Sequence, residues 1–144
     1  MKEKLYAARR VPMELNDWLA LGWERDEAVR FMTEEKPQLR VLVTVTMPDT
    51  DGTLKVYELP HYQFHSDGPE FGYGGSGPSD LARCILIDFY GVKPVRTTNT
   101  KFYDDTNPRL PVSYQAFKRD FVAVAPQKGF QVTGDEILKW AATQ

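Results

Sequence analysis

The sequence predicts an α+β fold in which a small antiparallel sheet, a β-hairpin plus a short third strand, packs against a central buried helix and flanking helices. Three observations carry this. Val41, Val43, Val45 and Met47 alternate with Leu42, Thr44 and Thr46, and Pro48-Asp49-Thr50-Asp51-Gly52 then supplies an Asp-Gly turn for a returning strand over Thr53 to Leu59. Ser79 to Tyr90 is apolar almost all the way round except for Asp80, Arg83 and Asp88, which places that helix in the interior. Thr133-Gly134-Asp135-Glu136 forms a capping box ahead of a last helix that turns Ile137, Leu138 and Trp140 inward. At 144 residues the chain has the size of one domain, large enough to fold on an apolar core without metal or disulfide.

Residues 1–36 read as a helical N-terminal extension and 37–144 as a single α+β domain. In the extension, Pro12 is placed as a helix-start residue, and Leu15, Trp18 and Leu19 follow at i, i+3, i+4. Gly22 breaks the stripe, and Ala28, Val29, Phe31 and Met32 form a second helical stretch ending before Pro37. Beyond the hairpin, Pro60 limits any continuation as a central strand. Gly91 caps the buried helix in the left-handed conformation, and residues 92–111 make a long polar connection. Ser113 then N-caps a helix with Tyr114, Phe117, Phe121 and Val124 on one face up to Pro126, and Gly129 to Val132 is the third strand.

Eighteen Lys and Arg against twenty Asp and Glu leave too little positive charge for general phosphate-backbone binding. Nucleic acid is therefore not the first expectation, although Lys93, Arg96, Lys101 and Arg109 interleave with Phe102 and Tyr103 in a stretch able to meet a single strand. The lone Cys84 excludes an internal disulfide and a thiolate-rich zinc site, and its apolar neighbours suit a buried thiol better than a nucleophile. No apolar run approaches the ~18 residues of a membrane span and the first residues lack a signal-peptide pattern, so no membrane association and a cytoplasmic location are expected. His61 and His65 lie roughly 13 Å apart in an extended chain, too far to share a metal ion. Asp49, Asp51, Asp104 and Asp105 read as solvated turn carboxylates. No catalytic residue, metal site or cofactor is assigned, because no acid–base pair stands out and Gly74-Gly75-Ser76-Gly77-Pro78 lacks the last glycine of a nucleophile elbow.

The unusual segment is Phe71 to Pro78, FGYGGSGP, which runs straight into the buried helix. One reading makes it a ligand site: the amides of Gly74, Gly75, Ser76 and Gly77 hold a phosphate or carboxylate, Ser76 donates a hydroxyl and Tyr73 stacks on a base. The lysine of a phosphate-binding loop is missing, the spacing departs from the dinucleotide fingerprint, and Asp80 in the first turn would repel an anion. The other reading is a tight glycine turn that lets the interior helix begin against the sheet.

The run Gly72-Tyr73-Gly74-Gly75-Ser76-Gly77-Pro78-Ser79-Asp80-Leu81-Ala82, followed by Ile85-Leu86, resembles the signature of an uncharacterised family associated with bacteria and their phages, the domain of unknown function DUF6166. Phe117-Lys118 matches that family's second-helix pair, while Phe71-Gly72-Tyr73 stands where similar members carry Trp-Gly-Tyr. The resemblance covers about 38–144 and implies an accessory protein of mobile-element origin, without an established activity. The function expected is accordingly that of a non-catalytic binding protein, a phage or mobile-element accessory that modulates a host function by docking a macromolecular partner, in the first place a protein. Trp18, Trp23, Lys101, Phe102 and Tyr103 are its candidate contact residues. The alternative is a small-ligand binder that takes a phosphate or nucleotide at the glycine-rich loop.

Overall fold

The structure is a computed structural model that describes residues 2–34, 38–96, 102–103 and 108–144. In chain order its elements are β1 (Leu5–Pro12), α1 (Leu15–Ala20), α2 (Arg25–Glu34), β2 (Leu39–Pro48), β3 (Leu54–Glu58), α3 (Ser76–Tyr90), α4 (Tyr114–Phe117, widening at once into a π turn over Lys118–Val122), β4 (Gly129–Thr133) and α5 (Gly134–Ala141). The four strands form one antiparallel sheet in the order β3-β2-β1-β4, an α+β architecture.

The helical reading of residues 1–36 holds for α1 and α2 but fails at the start. Leu5–Pro12 is an inner strand, paired with β2 from Leu5↔Thr46 to Pro12↔Leu39 and with β4 from Leu5↔Thr133 to Arg9↔Gly129. Alanine and arginine at positions 7–10 favour helix, yet hydrogen bonding on both edges and burial of Tyr6 and Ala8 override that local preference. This segment is therefore built into the sheet rather than appended to the domain. Pro12 ends a strand instead of starting a helix. The turn into α1 is held by Asp17, whose Oδ2 accepts from the Glu14 amide at 2.7 Å.

One face of the sheet carries Tyr6, Ala8, Val41, Val43, Val45 and Val132, all buried in a core shared with Leu81, Ile85, Leu86 and Phe89 of α3. As its all-round apolar sequence predicts, α3 is buried from Gly77 to Ile87 and at Phe89, and Gly91 (φ +65°) ends it. Charges inside such a helix must find partners. Asp88 accepts from Lys4 Nζ (2.9 Å), Tyr6 Oη (2.5 Å) and Tyr57 Oη (2.7 Å), joining β1 and β3 to the helix end. Burial, and then the hydrogen bond to Asp88, push the Tyr6 phenol far above its ordinary range and keep it a donor. Arg83, 2 % exposed, stacks on Phe64 at 3.8 Å and faces Tyr114 at 5.0 Å.

The caps fall where the sequence puts them. Ser113 Oγ accepts from the Ala116 amide (3.1 Å), while Thr133 Oγ1 accepts from the Glu136 amide (3.0 Å) and Glu136 Oε1 accepts from that of Thr133 (3.1 Å). α5 packs Trp140 edge-on against Phe117 and points its indole N–H at Asp120 (2.8 Å). Among the described residues no helix is long and apolar enough to cross a membrane.

Candidate functional site

The glycine-rich loop does launch α3, with Gly75 as N-cap, and its φ of +87° at Gly72 is one that few side-chain-bearing residues adopt. The Gly72 amide donates to the Val122 carbonyl at 2.9 Å, tying the loop to the end of the π turn. Tyr73, Gly74, Gly75, Ser76 and Gly77 lie together as neighbours in sequence must, with open space at Gly74 and close packing at Gly75 and Gly77. A Cβ on Gly75 would stand 2.5 Å from Tyr73 Cε2, and one on Gly77 would stand 2.8 Å from Glu70 Cβ. The Tyr73 ring is thus folded back over the loop, and the stem of an acidic residue lies against the first turn of the helix. Asp80 faces neither loop nor solvent. It is 1 % exposed, and its Oδ2 accepts from the amides of Phe64 (3.1 Å), His65 (2.9 Å) and Ser66 (2.8 Å) and from Ser66 Oγ (2.9 Å). A buried carboxylate answered by four donors pins the chain between β3 and α3.

That pinned chain forms one wall of a cleft. β3 pairs with β2 only as far back as Thr44↔Glu58; the Leu59 amide adds a last bond to the Val43 carbonyl (2.8 Å), and Pro60 then carries the chain away. Beside the uncovered start of β2 lies an opening of about 450 Å³. Its floor is Val41, Val43, Leu59 and Leu81, its upper lip is Met13, Ala20 and Leu21, and its rim carries Asp17, Arg40, Glu58, Asp67 and Glu70. Arg40 bridges Asp17 (Nε to Oδ1, 3.1 Å) and Glu58 (Nη1 to Oε1, 3.0 Å), while Arg10 holds Glu70 (2.9 Å) and the Phe71 carbonyl (3.2 Å).

His61 also lines the cleft, with both its ring nitrogens buried and the Ser66 backbone close by. Burial holds its pKa below the ordinary imidazole value, offset in part by the Asp80 charge, the Ser66 backbone and the Asp67 charge. A neutral imidazole presents one donor and one acceptor, and leaving a buried polar atom unanswered costs about 1–3 kcal/mol.

The candidate contact residues are placed differently from their expected role. Trp18 is 7 % exposed and meets Trp23 (4.8 Å) and Phe31 (5.2 Å) edge-on, a closed aromatic cluster joining α1 to α2 rather than an outward anchor. Trp23 is half-buried in the same cluster. Tyr103 turns in on Tyr62 (5.3 Å), donates its amide to the Gln63 carbonyl (2.7 Å) and carries Arg96 over its ring (4.6 Å). Phe102 is exposed, and Lys101, Asp104 and Asp105 lie outside the described residues. Burial pushes the Cys84 thiol up to about 12, the value of an inert core thiol. Among the described residues no three His, Cys, Asp or Glu side chains gather as a metal ion would need.

Sequence reasoning missed His61 as a cleft residue and Asp80 as a loop anchor. For Asp80 the signal was present, since a carboxylate in a helix with no solvated side has to be satisfied internally. For the cleft there was none, because α1, β2, the residues after β3 and α3 each supply only a few of its residues.

Fold and cleft together define a small α+β domain with a partly uncovered sheet edge. Residues 43–143 match the family of unknown function DUF6166, well over half of the chain, and the protein belongs to that family. No curated protein and no solved structure matches it. The matched segment begins inside β2, so β1 and the α1 lip of the cleft lie ahead of it.

Proposed function

We propose that this is a non-catalytic binding protein that works by docking a protein partner at the cleft beside β2, as a phage or mobile-element accessory modulating a host function would. The observation that carries the reading is the cleft itself, about 450 Å³ with an apolar floor of Val41, Val43, Leu59 and Leu81 and a charged rim. An apolar floor supplies affinity on closure and the rim supplies orientation. The alternative is a small-ligand binder that takes a phosphate or nucleotide at Tyr73 to Gly77, where Tyr73 lies over Gly75 and Glu70 against Gly77 while the space at Gly74 is open.

A photo-reactive amino acid at position 21 tests the proposal. Leu21 is 64 % exposed on the lip, and position 138, 43 % exposed on α5 beyond the opposite edge of the sheet, is the control. Irradiation in the native host is expected to trap a discrete adduct from position 21 and not from 138. Equal trapping at both positions, or none at 21, overturns the assignment.

A further inference from the structure

We propose that the cleft receives an extended, basic segment of the partner, which adds to β2 as a short extra strand. This rests on the docking function above and names what docks.

The backbone argument comes first. The Val43 carbonyl faces the β3 side, since it accepts from the Leu59 amide. Main-chain groups two residues apart in a strand point to the same edge, so Val41 and Leu39 turn their amides and carbonyls that way too. The β3 register stops at Thr44, and among the described residues no strand pairs with the earlier residues of β2 on that side. Leu39 to Leu42 is thus a sheet edge roughly 13 Å long, room for about four residues of an added strand. An extended peptide carries donors and acceptors at the matching repeat, which is the basis of strand addition.

The side chains define the segment further. In an added strand alternate residues face opposite ways, one set toward the floor of Val41, Val43, Leu59 and Leu81 and the other toward the rim. Asp17 and Glu58 share Arg40 there and Glu70 is paired with Arg10, so these ion pairs hold one more carboxylate than guanidinium groups. That rim attracts lysine or arginine and repels acidic residues. Charged pairs along an open edge also discourage indiscriminate pairing, which fits a site reserved for one class of sequence.

The test is a library of random ten-residue peptides selected on the protein after depletion on Leu21→Lys, which places a cation on an exposed lip residue. Should circular dichroism show that variant unfolded, Glu58→Lys, also exposed, takes its place. Enriched peptides are expected to alternate apolar residues with Lys or Arg, and the best of them to bind the variant at least about tenfold more weakly. Methylating alternate amide nitrogens of that peptide keeps every side chain but removes one edge of hydrogen bonds, and is expected to weaken binding by at least about tenfold. Acidic winners, no enrichment over the variant, or indifference to methylation overturns the extended basic occupant. Photo-trapping at position 21 separates the two levels: an adduct without peptide enrichment leaves docking standing and removes this occupant, whereas no adduct at 21 removes both.

Discussion

The glycine loop and the β2 cleft are opposites. Phe71 to Pro78 is conspicuous as sequence and closely packed at two of its glycines: Tyr73 covers Gly75, and Glu70 lies against Gly77. The cleft is inconspicuous as sequence and open as structure, with apolar floor, charged rim and a buried imidazole in its wall. Glycine marks a place where something approaches the main chain closely, and that something is often the protein itself. At Gly75 and Gly77 the close approach is made by the chain's own residues, and Glu70, which lies against Gly77, also lines the cleft.

The largest expected effect is at Asp80, which supports the cleft wall. Asp80→Ala leaves three backbone amides and a hydroxyl without their acceptor, and is expected to cost about 3–4 kcal/mol in chemical denaturation, a fall of roughly 10 °C in Tm. Trapping at position 21 should fall with it, and trapping that survives would show that the 61–70 wall is not needed.

Next come the glycines. In Gly77→Ala the new methyl meets Glu70 Cβ, which is fixed close to the main chain, so a loss of about 1–3 kcal/mol is expected. In Gly75→Ala the obstacle is the far end of the Tyr73 ring, itself half exposed, which can swing away, and less than about 1 kcal/mol should be lost. Urea titrations of both variants check the order, and a reversed order would mean that the ring is not what fills the loop.

A ligand at about 100 times its Kd would add about 2.7 kcal/mol of stability, and inorganic phosphate or nucleotides are expected to add none. A clear thermal shift with any of them would erase the contrast between the two regions.

The smallest effect concerns pH. Burial depresses the His61 pKa, so below the ordinary value of 6.5 the unfolded chain takes up more protons than the native one, and stability falls as pH drops through that value. His61→Gln should make the fall in denaturation midpoint between pH 7.5 and 5.5 shallower, and an unchanged slope would show that the imidazole is not shielded from water.

Much of the fold is legible in the residues themselves. The hairpin follows from alternation up to Met47 and the turn at Gly52, α3 from its lack of a polar side, α5 from Thr133 and Glu136, and β4 from Gly129 to Val132. β1 was hidden because Ala7, Ala8, Arg9 and Arg10 carry no local strand preference; only partners on both edges make them a strand. Trp18 and Trp23 looked like anchors because spacing cannot tell an aromatic that seeks a partner from one that meets Phe31. Of the cleft almost nothing could be read. Its floor residues show only as apolar positions of a strand and a helix, and whether a gap lies between them depends on where β3 stops.

The place of β1 sets the order in which the molecule can assemble. Tyr6 has Val45 on one side and Val132 on the other, so one flank is met by a strand that follows two helices later and the other by residues near the opposite end of the sequence. Contact order this high slows folding, since a very long loop must close before the last strand repays it. A chain still leaving the ribosome carries three strands and one bare flank, and for that interval Tyr6 and Ala8 lack their final cover. Chaperones, or a stray copy of the same chain, would meet the protein at that flank before its C-terminal residues have emerged.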